Sequence, residues 1–283
     1  MTLDTWIKGA RPRTLPAAVA PVVLATALAG SKFKPLEALL ALAVSLLLQI
    51  GVNYANDYSD GIRGTDSDRV GPLRLVGSGL ATPTSVKRAA FGCFALACLV
   101  GFFLAARTSW WIIAVGVAAI GAAWYYTGGS SPYGYKGLGE ISVFVFFGIV
   151  ATMGSYYVQT GQLTRQSFLL SIPMGSLACS LLAINNLRDR AKDELVGKRT
   201  LAVRLGDKAS RYFFVLLLLS AHGAAILVTP WALLTLLLLP LTIRLIIPVM
   251  RGASGRDLIP LLGKTGQFQI LFAALLATIL WLS

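Results

Sequence analysis

Histidine is nearly absent from this 283-residue sequence: His222 is the single one. That excludes His-rich zinc sites, bis-His haem and most acid–base schemes built on imidazole. His222 sits inside an apolar run and reads as a helix-packing residue. Cysteine is scarce and odd in number. Cys93, Cys98 and Cys179 each lie in apolar stretches, so a disulfide framework is not expected. Charge is scarce too, at 13% of residues, where a soluble domain carries roughly 25%. Acidic residues are the rarest charged class, 12 against 25 Lys and Arg.

What is present is apolar sequence, 56% of the chain. Runs near the ~20 residues that a spanning helix needs recur along it. The reading is an all-α polytopic membrane protein, a single domain over 1–283. Nine spans are expected, at 15–30, 36–58, 84–105, 109–126, 139–158, 167–187, 210–228, 231–249 and 266–282. The first 30 residues have the basic start and small-residue ending of a signal peptide. Pro16 and Pro21 interrupt the apolar part, so the segment is read as a retained first helix.

The basic excess predicts no nucleic-acid partner, because membrane proteins concentrate Lys and Arg in cytoplasmic loops. The expected second span is followed by Arg63, Arg69, Arg74, Lys87 and Arg88. The sixth is followed by Arg188, Arg190, Lys192, Lys198, Arg199, Arg204, Lys208 and Arg211. The loops after the odd-numbered spans carry few. This places the N-terminus and the loops after spans 2, 4, 6 and 8 in the cytoplasm, and the C-terminus outside.

The few carboxylates are not scattered. Asn53-Tyr-Ala-Asn56-Asp57-Tyr-Ser-Asp60, continuing to Asp66 and Asp68, closes the second span. Asn185-Asn186-Leu-Arg-Asp189-Arg-Ala-Lys-Asp193-Glu194 closes the sixth. Positions 53, 57 and 60 fall at i, i+4 and i+7, and 185, 189 and 193 repeat that stack, so each set shares one helix face. Like charges so placed repel, and a carboxylate at membrane depth costs about 2.5–3.5 kcal/mol. A positive partner is expected, and oxygen-only ligands favour Mg²⁺. The candidate metal set is Asn53, Asp57, Asp60, Asp66, Asn185, Asp189 and Asp193. The two copies lie four spans apart in the same orientation, which suggests a parallel repeat of helices 1–4 and 5–8.

A Gly-rich segment, Tyr125–Glu140, lies on the same side. Its glycines can curl backbone N–H groups around an anion, and Lys136 adds a charge. Arg63, Arg74, Lys198 and Arg199 are further anion-contact candidates, although the positive-inside rule alone also explains them. Paired acidic clusters, Mg²⁺ and adjacent cations suit a diphosphate carried on a lipid tail. Loss of an allylic diphosphate leaves a carbocation. Tyr54, Tyr58, Tyr125 and Tyr126 are candidates to stabilise it through their ring faces, with packing at the membrane interface as the other reading.

The paired segments resemble the Asp-rich motifs of the UbiA superfamily of intramembrane prenyltransferases. Within it the chain is most similar to the MenA type, the 1,4-dihydroxy-2-naphthoate polyprenyltransferases. The resemblance rests on Ala10–Pro16, Asn56–Asp60, Tyr126–Gly129, Gly134–Glu140, Asn185–Asp189 and Gly197–Gly206. It implies nine helices around a central cavity under a cytoplasmic cap, in a bacterial cytoplasmic membrane. It implies Mg²⁺-dependent transfer of a polyprenyl group from polyprenyl diphosphate to 1,4-dihydroxy-2-naphthoate, with loss of the carboxylate, in menaquinone synthesis. Another aromatic acceptor or a phytyl donor is the alternative within the superfamily. Carried over residue by residue, Asn53, Asp57, Asp60, Asp189 and Asp193 would hold Mg²⁺–diphosphate and Lys136 would bind diphosphate. One departure stands out: where the first motif often continues with Asp, this chain has Gly64, and the next carboxylate is Asp66. Two other classes share parts of the pattern. Asp57-x-x-Asp60-Gly61 resembles the start of a CDP-alcohol phosphotransferase motif, without its later residues. Intramembrane acids also mark ion or lipid transporters.

Overall fold

The computed structural model describes residues 2–65, 71 and 73–283, and among them every regular element is helical. Two helices set the frame. Helix α3 (Pro35–Ile62) and helix α8 (Arg165–Leu195) each run past the length of an apolar span and carry an acidic motif on the extra turns. α8 is the most deeply buried span, packed among α2 (Pro16–Ala29), α9 (Leu201–Val228) and the last helix (Leu258–Leu282). Phe214, Leu218, Phe272 and Leu276 close this core around Leu170, Met174 and Leu177. Small residues allow the tightest approach. A Cβ on Gly148 would stand 2.6 Å from the Cα of Gly175 in α8. Close contact of this kind is how helices associate without a hydrophobic drive between them.

Seven helices are long and apolar enough to cross a membrane. The N-terminal pair adds an eighth if α1 (Leu3–Ala10) and α2 count as one span, but they meet at a 55° bend. Pro12 and Pro16 explain that break, since neither donates a backbone hydrogen bond. Helix α5 (Ile112–Tyr125) has 14 residues, roughly 21 Å, short of a ~30 Å core. Nine helical segments were expected. By length and composition the described residues supply seven or eight spans.

Between α4 (Pro83–Arg107) and α5 on one side and α8 on the other lies a cavity of about 1220 Å³. α3 lines it from Ala41 to Asp60, a rise of ~28 Å. The helix pair α6 (Gly139–Val143) and α7 (Ala151–Thr160), joined by a π-helical stretch at Phe144–Val150, forms another wall. Apolar residues such as Val44, Leu48, Ile112, Val117, Phe146 and Val158 line most of its length. Polar residues gather at the end where α3 and α8 finish.

A cap closes that end. The Lys198 N–H donates to the Asp193 carbonyl at 2.8 Å, and the Arg199 N–H to the Tyr135 carbonyl at 2.8 Å. The Thr127 hydroxyl donates to the Asn56 amide oxygen at 2.7 Å. The Arg63 guanidinium donates to the carbonyls of Thr127 and Gly129. The segment between α8 and α9, the loop before α6 and the end of α3 are thereby tied together.

Candidate functional site

Asp60 is the centre of the polar end. It is 4% exposed and lies at the last turns of α3. Lys198 donates to its Oδ1 at 3.0 Å and Arg74 to its Oδ2 at 3.3 Å. The Tyr135 hydroxyl also donates to Oδ1. Burial and this neighbouring carboxylate push the Tyr135 phenol well above its usual range, so it stays a donor. Lys198 lies 4.6 Å from the centre of the Tyr135 ring, a cation–π contact. Asp60 therefore draws groups from three segments of chain that are far apart in sequence.

The second cluster faces the same cavity. Asn185, Asn186, Asp189, Lys192 and Asp193 all line it from α8. Arg188 grips Asp189 through two bonds, 2.7 and 2.6 Å, and reaches the Asn185 oxygen at 2.8 Å. The Asn186 amide donates to Glu140 Oε1 at 2.9 Å, which binds α8 to α6.

Helix geometry sorts the first cluster differently from its spacing. Asn53, Asn56 and Asp60 line the cavity; Asp57 does not. At 100° per residue Asp57 lies ~40° to one side of Asn53 and Asn56 ~60° to the other. The cavity is on the Asn56 side. Asp57 is fully buried, and its two oxygens accept the backbone N–H groups of Leu75 and Val76 at 2.7 and 2.9 Å. It pins the turn that follows Arg74. Gly61 permits that turn to pack on α3, because a Cβ there would stand 2.4 Å from Val76.

The remaining expected residues divide in two. Arg74, Lys198 and Tyr126 reach the cavity wall. Lys136 does not: it is exposed, on a 3₁₀ turn (Tyr133–Lys136) whose Tyr135 points inward. Neighbours on such a turn point about 120° apart, so only one of the two can face the site. Arg63 and Arg199 are exposed and serve the cap. Tyr54 donates to the Trp6 carbonyl at 2.8 Å, Tyr58 stacks on Trp124, and Tyr125 is 58% exposed; none lines the cavity. Asp66 lies outside the described residues. The Gly-rich loop is no open anion cradle at two of its glycines. The N–H groups of Gly128 and Gly134 are bonded to the carbonyls of Trp124 and Tyr126. Gly134 is required for that closeness, since its Cβ would stand 2.6 Å from the Tyr126 oxygen.

Spacing alone missed Tyr135, Asn56, Arg188 and Lys192. Arg11 and Thr14 of the N-terminal segment also line the cavity. Asn53 donates to the Ala10 carbonyl at 2.9 Å and Thr14 at 3.0 Å, so this segment is stitched to the first motif. The Ala10–Pro16 string was a signal for it, although no residue there had been given a role.

The donor chemistry fits a hard divalent cation. Asp60, Asp189 and Asp193 present carboxylates, and Asn53 and Asn185 present amide oxygens, from two helices facing one cavity. Among the described residues no three His, Cys, Asp or Glu side chains cluster tightly enough to hold a metal by themselves. Mg²⁺ commonly takes one or two carboxylates together with substrate phosphates, so donor sets of this size suffice.

Comparison with known proteins gives a consistent answer. The UbiA prenyltransferase family matches residues 18–258. A 1,4-dihydroxy-2-naphthoate octaprenyltransferase of Mycobacterium tuberculosis is 51% identical over 277 residues, covering 96% of this chain and 95% of that one. A protein of the same name from Mycobacterium leprae is 47% identical over 283 residues, covering 98% and 96%. The structure of a UbiA homolog from Archaeoglobus fulgidus bound to GPP and Mg²⁺ superposes with a TM-score of 0.68 at 14% identity, over 99% of this chain and 100% of that one.

The geometry of Asp57 makes a direct prediction. Asp57→Ala removes two hydrogen bonds to a charged acceptor, each worth about 1.5–3 kcal/mol. Amide exchange at Leu75 and Val76, followed by mass spectrometry in detergent, should accelerate at least tenfold, while exchange in α8 is unchanged. Unchanged protection at 75–76 would remove Asp57 as the anchor of this turn.

Proposed function

The chain belongs to the UbiA prenyltransferase family, and from that premise we propose that it transfers a polyprenyl group from polyprenyl diphosphate to 1,4-dihydroxy-2-naphthoate. The product is the prenylated, decarboxylated naphthoquinol of menaquinone synthesis. The observation that carries this reading is the cavity itself: a long apolar space ending in buried carboxylates and cations. Its ~1220 Å³ exceeds the 300–1,000 Å³ of ordinary ligand pockets, as two substrates together require.

In this reading Asp60, Asp189 and Asp193, with the amide oxygens of Asn53 and Asn185, would hold Mg²⁺ at the diphosphate. The metal ion would supply charge neutralisation that makes diphosphate a better leaving group. Lys198 and Arg74, paired with Asp60 in the structure, would turn to phosphate oxygens. Lys136, Arg63 and Arg199 are left to the cap, and Asp57 to the turn it holds. The walls from α3, α4, α5 and α7 take the prenyl tail. Tyr126 presents a ring to the cavity where an allylic cation would form. Heterolysis of the allylic C–O bond gives diphosphate and the cation. The electron-rich ring then forms the new C–C bond. Carbon dioxide leaves, and the electron pair of its bond restores the aromatic ring.

Nine crossings remain part of the proposal, with α5 as the short one. Trp110 and Trp111 at one end of α5 and Tyr125 and Tyr126 at the other are the aromatic flanks of an interface-to-interface helix. The parallel repeat, the bacterial cytoplasmic membrane and the cytoplasmic position of the cap go with it.

Membranes containing the protein, supplied with 1,4-dihydroxy-2-naphthoate and an all-trans polyprenyl diphosphate, should yield prenylated naphthoquinone by mass spectrometry with Mg²⁺ and none with EDTA. Asp60→Asn and Asp189→Asn should each lose at least a hundredfold in turnover while eluting as folded protein. Near-normal turnover in either removes it from the metal site. Prenylation of 4-hydroxybenzoate instead would keep the family and change the acceptor. Substrate flux in proteoliposomes without product would favour a transporter. Topology has its own readout: alkaline phosphatase fused at the C-terminus should be active, whereas an inactive, stable fusion means an even number of crossings.

A further inference from the structure

Among the cavity-wall cations that the chemistry above does not use, Lys192 is set apart by the burial of its charged end. Lys192 faces the cavity from α8, three residues beyond Asp189 and one before Asp193. Its ammonium nitrogen is shut off from solvent and has no hydrogen-bond partner among the described residues. Three other cations at this end are engaged. Lys198 and Arg74 bind Asp60, and Arg188 binds Asp189 and Asn185. An ammonium taken out of water is costly unless an anion meets it. This one belongs to a residue of the cavity wall, so an anion entering there can meet it after a small side-chain movement.

Two anionic groups enter that cavity in the proposed reaction. The diphosphate already meets the acidic clusters through metal, and Lys198 and Arg74 besides. The acceptor's ring carboxylate has no partner among these. Lys192 also lies apart from Asp193 and Asn186 on the helix surface. It is ~60° round α8 from Asp189 on the side of Asn185 and Leu181, opposite to Asp193 and Asn186. Leu181 on that flank approaches Gly266, which itself meets the Arg13 carbonyl. The flank thus faces the N-terminal segment, where Arg11 and Thr14 line the cavity.

We propose that Lys192 binds the carboxylate of the aromatic acceptor and so sets selectivity for a carboxylated ring. The inference rests on the proposed function. An ammonium held rigidly beside a carboxylate forms a charge-assisted hydrogen bond. It would orient the ring with its carboxyl-bearing face toward α8 until that group departs as carbon dioxide. The product no longer has the carboxylate, so the contact favours substrate over product.

The test separates the two substrates. In detergent-solubilised, folded Lys192→Met, KM for 1,4-dihydroxy-2-naphthoate should rise at least tenfold and KM for the polyprenyl diphosphate by less than twofold. Lys192→Arg should recover most of the acceptor affinity. Inhibition by 1-hydroxy-2-naphthoate, which keeps the carboxylate, should weaken in step in Lys192→Met. Inhibition by inorganic diphosphate with Mg²⁺ should not. A rise in donor KM with weaker diphosphate inhibition would overturn the assignment in favour of a diphosphate contact. An unchanged acceptor KM would overturn it outright. If the wild-type protein turns over no naphthoate, the functional reading fails first, and the carboxylate assignment falls with it. Wild-type turnover with an unmoved acceptor KM in the variant sinks the Lys192 inference alone.

Discussion

A single buried carboxylate organises this molecule's working end. Asp60 cannot lie 4% exposed at the end of a membrane helix without compensation. The groups that compensate it come from three different stretches: Arg74 after α3, Tyr135 before α6, and Lys198 after α8. Satisfying Asp60 therefore folds the cap. Asp57, one turn earlier, performs the companion task with backbone N–H groups and fixes the turn beside Arg74. Removing one partner of a buried pair typically costs about 3–5 kcal/mol, because the other charge is left buried and uncompensated.

In the proposed function the same pairing would let the site serve a diphosphate. Lys198 and Arg74 pair with Asp60 in the structure. In the proposed reaction the carboxylate would turn to the metal and these two cations to phosphate oxygens, so that Asp60, Lys198 and Arg74 would each keep a partner of opposite charge. The second cluster follows the same pattern, with Arg188 on Asp189. Asp60 and Asp189 are thus each paired with a cation while lining the cavity.

Much of this was legible in the sequence. The apolar runs foretold helices close to their observed positions, and the two Asn-x3-Asp stacks foretold where polar chemistry would gather. Less legible was which member of a stack turns inward. Asp57 shares a nominal face with Asn53 and Asp60, yet the cavity axis falls on the Asn56 side and leaves Asp57 to the loop. Lys136 drew attention by its charge, but the 3₁₀ turn directs its neighbour Tyr135 to Asp60. Both errors come from contacts between segments distant in sequence, which no periodicity encodes. The count of spans differed for a local reason: prolines break the N-terminal helix, and α5 has only 14 residues.

In the proposed function the acidic clusters accept a diphosphate only together with a divalent cation, by exchanging their present cation partners. The most direct test is the melting temperature of the purified protein in detergent with Mg²⁺, with an unreactive prenyl thiodiphosphate, and with both. The expected result is a clear upward shift only when both are present, lost in Asp189→Asn. An equal shift from the diphosphate analogue alone, in EDTA, would contradict it, because lysines and arginines would then hold the diphosphate without the carboxylates.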